Sequence, residues 1–274
     1  MNNRMRIGIL GAGNIGGAIA SGLVESERFL AGDITLTRKR VHLLDDMKAR
    51  GFLVTADNRE AASRSEVVVV TVEPHELNRI LEEVGPGLKP GQHTLISVVT
   101  GAGIAQIRRY VDPGVSIVRA MPNTAIAMRE SMTCLASANR DDPALEVAKS
   151  IFDTVGRTLV IDEELMIAAT ALGACGVAFF LRAIRAASQG GIEIGFHAHD
   201  ALAIAAQTAR GAATLLLTTD HHPEYEIDRV TTPRGCTIAG LNQMEHEGFS
   251  SAMIKGITVS ADKAAKLYTS GGHS

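Results

Sequence analysis

The spacing of apolar positions changes once along this chain. Through about residue 161 they come in short runs separated by segments of helical composition. Ile7 to Leu10, Asp33 to Thr37, Glu66 to Val72, His93 to Val99, Val115 to Arg119, Met132 to Ala136 and Arg157 to Ile161 read as strands. This alternation predicts an α/β unit built on a mostly parallel, doubly wound sheet. Val67-Val68-Val69-Val70 is apolar at every position, as in a central strand covered on both faces. Ligands gather at the carboxyl ends of such strands. The segments leaving those ends are Thr71-Val72-Glu73-Pro74-His75, Val98-Val99-Thr100-Gly101 and Arg119-Ala120-Met121-Pro122-Asn123-Thr124.

From Asp162 the strand signal stops. Asp162 is placed to cap a helix whose first turn carries Glu163 and Glu164, and His199-Asp200 opens an alanine-rich stretch ending near Thr219. Ala201, Ile204, Ala205, Thr208, Ala212, Leu215 and Leu216 form a wide stripe of helical period with little charge. Such a helix needs cover on most sides. The pattern predicts two domains, residues 1–161 and an all-helical 162–274 that dimerises.

The first strand runs into Gly11-Ala12-Gly13-Asn14-Ile15-Gly16 and then into a helix. In that context G-x-G-x-x-G is a dinucleotide-binding turn. Gly11 makes the sharp turn, Gly13 lets a pyrophosphate approach the backbone, and Gly16 lets helix and strand pack closely. Free N–H groups at the helix start, Asn14 and Ile15 among them, face the phosphates. The second strand ends in Thr37 and is followed by Arg38-Lys39-Arg40, with no carboxylate at its end to hold a ribose 2′-hydroxyl. Thr37, Arg38 and Lys39 suit a 2′-phosphate, so NADP(H) is expected over NAD(H). The competing reading of the cations is a solvated basic turn.

Composition narrows the classes. The 274 residues are 46% hydrophobic and 21% charged, ordinary for a globular chain long enough for two domains. A formal charge of -3 and 4% aromatic content argue against nucleic acid as the main partner. The start of the chain leads directly into a strand and no apolar run suggests a membrane span, so neither a signal peptide nor a membrane is expected. Cys134, Cys175 and Cys236 have no metal-type spacing and fit a reducing cytoplasm. His197-Ala198-His199 lacks the further ligands a metal needs, and no metal is expected.

A second site-like element is Thr231-Thr232-Pro233-Arg234-Gly235-Cys236-Thr237, where a Pro-Gly turn leads into a helical run ending near Gly248. Its outward N–H groups suit a carboxylate. A plain loop between helices is the alternative.

Taken together, G-A-G-N-I-G, V-x-P-H at Val72 to His75, M-P-N-T at Met121 to Thr124, A-A-T-A-L-G-A-C-G and T-T-P-R-G-C-T-I-A-G-L resemble the pyrroline-5-carboxylate reductase family nearly end to end. The resemblance implies an N-terminal Rossmann domain and a helical C-terminal domain that interlocks as a homodimer, often assembled into decamers. It implies NAD(P)H-linked reduction of a small cyclic imine carboxylate, 1-pyrroline-5-carboxylate, to proline. By position, Gly235, Cys236 and Thr237 would offer N–H groups to the substrate carboxylate, with the Thr237 hydroxyl on the ring nitrogen and Thr232 in place of the family serine. Val99, Thr100 and Asn123 match positions near the nicotinamide, and Val72, Glu73 and Pro74 match the loop passing the cofactor. Cys175 and Cys236 fall on loops beside the substrate, though a plain buried thiol is the simpler expectation.

The chain also departs from the family pattern. Arg234 replaces the first glycine of S-P-G-G-x-T, and Gly173-Ala174-Cys175-Gly176-Val177-Ala178 lacks both serines and the proline of S-G-S-G-P-A. Glu73 stands where lysine is common and Ala125 where proline is common. These changes leave open a reductase of another imine, or a catalytically silent NADP-binding regulator. A hydroxyacid dehydrogenase of similar build would need a lysine that Asp162 to Gly190 does not contain.

Overall fold

The computed structural model describes residues 5–267. Among them the strands are β1 (Ile7–Leu10), β2 (Ile34–Thr37), β3 (Leu53–Thr55), β4 (Val67–Val70), β5 (Thr94–Ser97), β6 (Ser116–Met121), β7 (Ser131–Ser137) and β8 (Gly156–Val160). They form one sheet in the order β3-β2-β1-β4-β5-β6-β7-β8. The strands from β3 to β6 run parallel, β7 pairs antiparallel with β6, and β8 runs parallel to β7. The order reverses between β1 and β4, which opens a crevice at their carboxyl ends. β3 is absent from the strands expected above, because three partly exposed edge residues carry no readable period. β2 starts one residue later than expected, since Ala31–Asp33 form a 3-10 turn.

The all-valine strand explains the two cores. Val67 and Val69 pack with Ile7, Ile9, Ile34 and Leu36 beneath the helices Asn14–Glu25 and Ala144–Phe152. Val68 and Val70 pack on the opposite face with Leu10, Leu95 and Ile117 beneath Asn58–Ser63 and Leu77–Val84. Successive side chains leave a strand on opposite faces, so a run apolar at every position joins both layers.

The chain divides into two compact units, one reaching Cys175 and including the segment from Ser260, the other Gly176–Val259. Past β8 the first unit continues through a 3-10 turn, Glu163–Leu165, and the helix Met166–Ala169 into a π-helical turn, Thr170–Cys175. Asp162 does not cap this stretch with its side chain, as its position suggested. Its carboxylate accepts from Arg140 Nε at 2.7 Å instead. Glu163 turns inward, where Oε1 accepts from Ile104 N at 2.6 Å and Arg119 Nη1 at 3.3 Å. Arg119 is buried; desolvation lowers its pKa while Glu163 pulls in the other direction.

In the second unit, Gly176–Glu193 and Ala198–Thr218 pack tightly enough that a Cβ on Gly191 would lie 3.0 Å from Ala201 Cβ. Pro223–Arg229 and Cys236–His246 follow, and a last helix, Phe249–Leu267, begins there. Ala201 of the apolar stripe is buried, whereas Ile204, Leu215 and Leu216 are 50%, 43% and 41% exposed. Glu163–Glu193 and Ala198–Thr218 reach the length and hydropathy of a membrane span, with best windows of mean hydropathy 1.9 and 1.2. The sequence reading did not register that measure.

Candidate active site

The glycine turn shows three separate steric reasons for glycine. Gly11 has φ +86°, where an L side chain is strained, and a Cβ there would lie 2.5 Å from Val72 Cγ1. A Cβ on Gly16 would lie 2.6 Å from Thr71 Oγ1 and 3.0 Å from Ile9 Cγ2, so helix and sheet touch there. At Gly13 a Cβ would meet only Gly11 O, at 3.9 Å, and would project into open space. The helix Asn14–Glu25 has no side-chain cap, so its first N–H groups are left for a ligand or solvent. An uncapped helix start beside an open backbone concavity fits a pyrophosphate.

This turn lines an open cleft of about 790 Å³ at the carboxyl ends of β1, β2 and β4. Gly11, Gly13, Asn14, Ile15, Thr37, Arg38, Lys39, Val72 and Glu73 are all on its wall. Gly16 sits behind it in the helix-to-sheet contact. Pro74 begins a 3-10 turn, Pro74–Glu76, that carries His75 and Glu76 onto the wall. Val99 is buried in the loop after β5 and Thr100 is partly exposed there; neither lines this cleft.

Two expected contacts take another form. Thr37 was expected to donate to a phosphate, but its hydroxyl is buried, donates to Asn58 Oδ1 at 2.6 Å and accepts from Gly11 N at 3.2 Å. With its one proton committed, Thr37 fixes the glycine turn and leaves charge at this corner to Arg38 and Lys39. Asn123, matched to the nicotinamide region, is also buried and engaged. Its Oδ1 accepts from Ala125 N at 3.0 Å and its Nδ2 donates to Gly173 O at 3.1 Å. It thereby ties the M-P-N-T loop to the π-helical turn ending at Cys175, which is half-buried.

Sequence reasoning missed Asn58, Glu76, Arg79 and Glu83, and named Thr71 only as the first residue of the segment leaving β4. Thr71 Oγ1 donates to Gly11 O at 2.9 Å and holds the turn from the β4 side. Glu76, Arg79 and Glu83 follow one another at intervals of three and four on the polar side of Leu77–Val84, whose Leu77, Ile80, Leu81 and Val84 are buried. That spacing was a readable signal. Glu76 Oε2 lies 2.8 Å from Lys39 Nζ and 2.7 Å from Arg79 Nη2, and these cations hold its carboxyl down at about 2.

In the second unit, Thr232 to Gly235 form a turn closed by Gly235 N donating to Thr232 O at 2.9 Å. Pro233 is at its second position and Arg234, with φ +63°, at its third, the arrangement of a type II turn. A Cβ on Gly235 would lie 2.5 Å from Thr232 Oγ1. Cys236–His246 starts from Gly235 without a side-chain cap. Thr232, Arg234, Cys236 and Thr237 are all exposed, so the buried-thiol expectation does not hold for Cys236. Among the described residues no three His, Cys, Asp or Glu side chains cluster as metal ligands.

Sequence comparison decides the family. A Dictyostelium discoideum protein named pyrroline-5-carboxylate reductase 2 is 48% identical over 97% of this chain and 94% of its own length. The chain belongs to the pyrroline-5-carboxylate reductase family. Pyrroline-5-carboxylate reductase 1 of the same organism is 55% identical over 96% of this chain, which spans 50% of that relative's length. Residues 163–267 match the profile of pyrroline-5-carboxylate reductase dimerisation, and residues 6–101 match that of NADP oxidoreductase coenzyme F420-dependent. A solved pyrroline-5-carboxylate reductase from Coxiella burnetii superposes with a TM-score of 0.90 at 28% identity, covering 97% of this chain and 99% of the other. A Plasmodium falciparum pyrroline carboxylate reductase solved with NADP bound shares the fold, with a TM-score of 0.84 at 22% identity and 98% and 99% coverage. The match to pyrroline-5-carboxylate reductase dimerisation covers both long apolar helices.

Proposed function

We propose that the protein reduces 1-pyrroline-5-carboxylate to proline with NADPH. The reading rests on family membership across nearly the whole chain together with a glycine cradle whose open face is intact. The cradle at Gly11, Gly13, Asn14 and Ile15 holds the pyrophosphate, and Arg38 and Lys39 face the 2′-phosphate. When bound, the reduced nicotinamide supplies the hydride. The N–H groups of Gly235, Cys236 and Thr237 hold the substrate carboxylate, and the Thr237 hydroxyl orients the ring nitrogen. Val72, Glu73 and Pro74 flank the cofactor, while Val99, Thr100 and Asn123 shape the loops beside the reacting ring. A protonated imine carbon is already electrophilic, so orientation and exclusion of water suffice, and no acid–base dyad is required.

The working unit is a homodimer through residues 162–274, with residues 1–161 as the cofactor domain. Exposed Ile204, Leu215 and Leu216, and an apolar hollow of about 300 Å³ lined by Phe179, Phe249 and Met253, support this arrangement. Sedimentation separates a dimer from a decamer of five dimers. Cys134, Cys175 and Cys236 are unpaired, which fits a reducing cytoplasm.

NADPH oxidation followed with pyrroline-5-carboxylate and its six-membered analogue tests the proposal. Turnover of the five-membered ring is expected. Arg234, together with the serine-free Gly173 to Ala178 segment, supports a second reading as a reductase of another imine, which preference for the larger ring would favour. No oxidation with any cyclic imine carboxylate would sink both and leave the silent regulator. In the same assay, Arg38→Ala with Lys39→Ala is expected to weaken NADPH and spare NADH.

A further inference from the structure

The cations at the ribose corner of the cleft already share an anion. Glu76 Oε2 accepts from Arg79 Nη2 at 2.7 Å and Nε at 3.0 Å and pairs with Lys39 Nζ at 2.8 Å, while Oε1 lies 3.6 Å from His75 Nε2. The carboxylate reaches this corner from the turn after β4, across the crevice from β2. Resting on the dinucleotide reading above, we propose that Glu76 sets the cofactor balance: it is the ribose acceptor that a free 2′-hydroxyl needs, and the anion that a 2′-phosphate must displace from Lys39 and Arg79.

Three features support this. The end of β2 has no carboxylate of its own, since Thr37 is followed by Arg38-Lys39-Arg40. Glu76 is flanked by cations and its side chain is 23% exposed, so it can exchange partners without crossing the core. Arg79 is anchored independently of Glu76. Its Nη1 lies 3.3 Å from Glu83 Oε2, which accepts from Asn58 Nδ2 at 3.0 Å, and Asn58 in turn holds the Thr37 hydroxyl. When Glu76 swings away, Arg79 therefore stays on the cleft wall, ready for a dianion. When Glu76 stays, Lys39 and Arg79 are neutralised and a carboxylate oxygen faces the 2′-hydroxyl. One side chain thus serves both cofactors in opposite senses.

The test is the ratio of dissociation constants for NADPH and NADH, measured by calorimetry on the unmodified protein, Glu76→Gln and Glu76→Asp. Glu76→Gln keeps the size and removes the charge. NADPH is expected to bind about two- to fivefold more tightly and NADH to weaken by a similar factor, the scale of one solvent-accessible charge pair on each side. Glu76→Asp, with a shorter reach, should give an intermediate ratio. A ratio unchanged by Glu76→Gln, or both affinities falling together as for a merely structural ion pair, would overturn the inference. If the unmodified protein favours NADPH while the variants leave the ratio alone, only this inference fails. If it binds neither cofactor, the dinucleotide reading fails with it.

Discussion

Replacing Arg234 by glycine should stabilise the protein. Arg234 occupies the left-handed region at φ +63°, in a turn held by Gly235 N on Thr232 O, and its side chain makes no hydrogen bond or ion pair among the described residues. A non-glycine residue in that region costs roughly 1–2 kcal/mol. Glycine relieves this cost but gives back about 0.5–1 kcal/mol through the greater freedom of the unfolded chain. The net gain for Arg234→Gly is therefore about 0.5–1 kcal/mol, or ~1–4 °C in Tm for a domain of this size. The assay is thermal unfolding at one fixed protein concentration, because subunit association also moves Tm. A fall in Tm would refute the reasoning and place the guanidinium in a stabilising contact across the assembled dimer. Kinetics add a second test. If Arg234 only faces solvent, pyrroline-5-carboxylate turnover stays unchanged, whereas a gain assigns it a part in substrate choice.

Gly13→Ala should leave Tm nearly unchanged while weakening NADPH by more than about tenfold, since its Cβ enters the open cradle; Gly16→Ala should instead destabilise by about 1–3 kcal/mol against Thr71 and Ile9. Calorimetry and thermal melts read the two separately. Thr237→Ala is expected to lower kcat/KM by one to two powers of ten, ~1.5–3 kcal/mol, with NADPH affinity unmoved; full turnover on every imine would remove the proposed role of this turn. Glu163→Ala strands the buried Arg119 guanidinium and Ile104 N, so denaturant melts should show a loss of about 2–3 kcal/mol. Glu76 is lowered to about 2 from 4.5, mainly by Lys39 and then Arg79. Its contribution to stability is fully present above pH 4.5 and is lost only as pH falls towards 2, which an NMR titration of its carboxyl carbon checks; a midpoint near 4.5 would contradict it.

The sheet was legible because its buried strands carry continuous apolar runs, and the glycine turn because its spacing has a steric cause at each position. β3 was not, since a three-residue edge strand lacks a period. The internal hydrogen bonds of Thr37 and Asn123 were not legible, for another reason. Both carry groups a ligand wants, but Asn58 and Gly173 claim them first, and those partners lie 21 and 50 residues away in the chain. Glu163 likewise read as a helix-start acid, because its partners Ile104 and Arg119 come from other elements. Glu76, Arg79 and Glu83 had a helical spacing to reveal them. Local pattern names the residue types at a site, while partner choice among them is set by the sheet order.

A strand that is valine throughout carries no information about its own alignment. Sliding β4 by one residue would exchange Val67 and Val69 for Val68 and Val70 between two equally apolar layers, so hydrophobicity alone hardly opposes the slip. The alignment must be written at the strand's two ends. At one end, Glu66 N and Val67 N both donate to Arg6 O, and Ser65 presses against Gly8, where a Cβ would lie 2.8 Å from its hydroxyl oxygen. At the other, Thr71 donates from its backbone N–H to Leu10 O and from its hydroxyl to Gly11 O. These groups act as pegs, and the second peg is seated in the glycine turn itself. A chain that folded one step out of register would keep its apolar layers but unseat both pegs, and with the second it would lose the cradle.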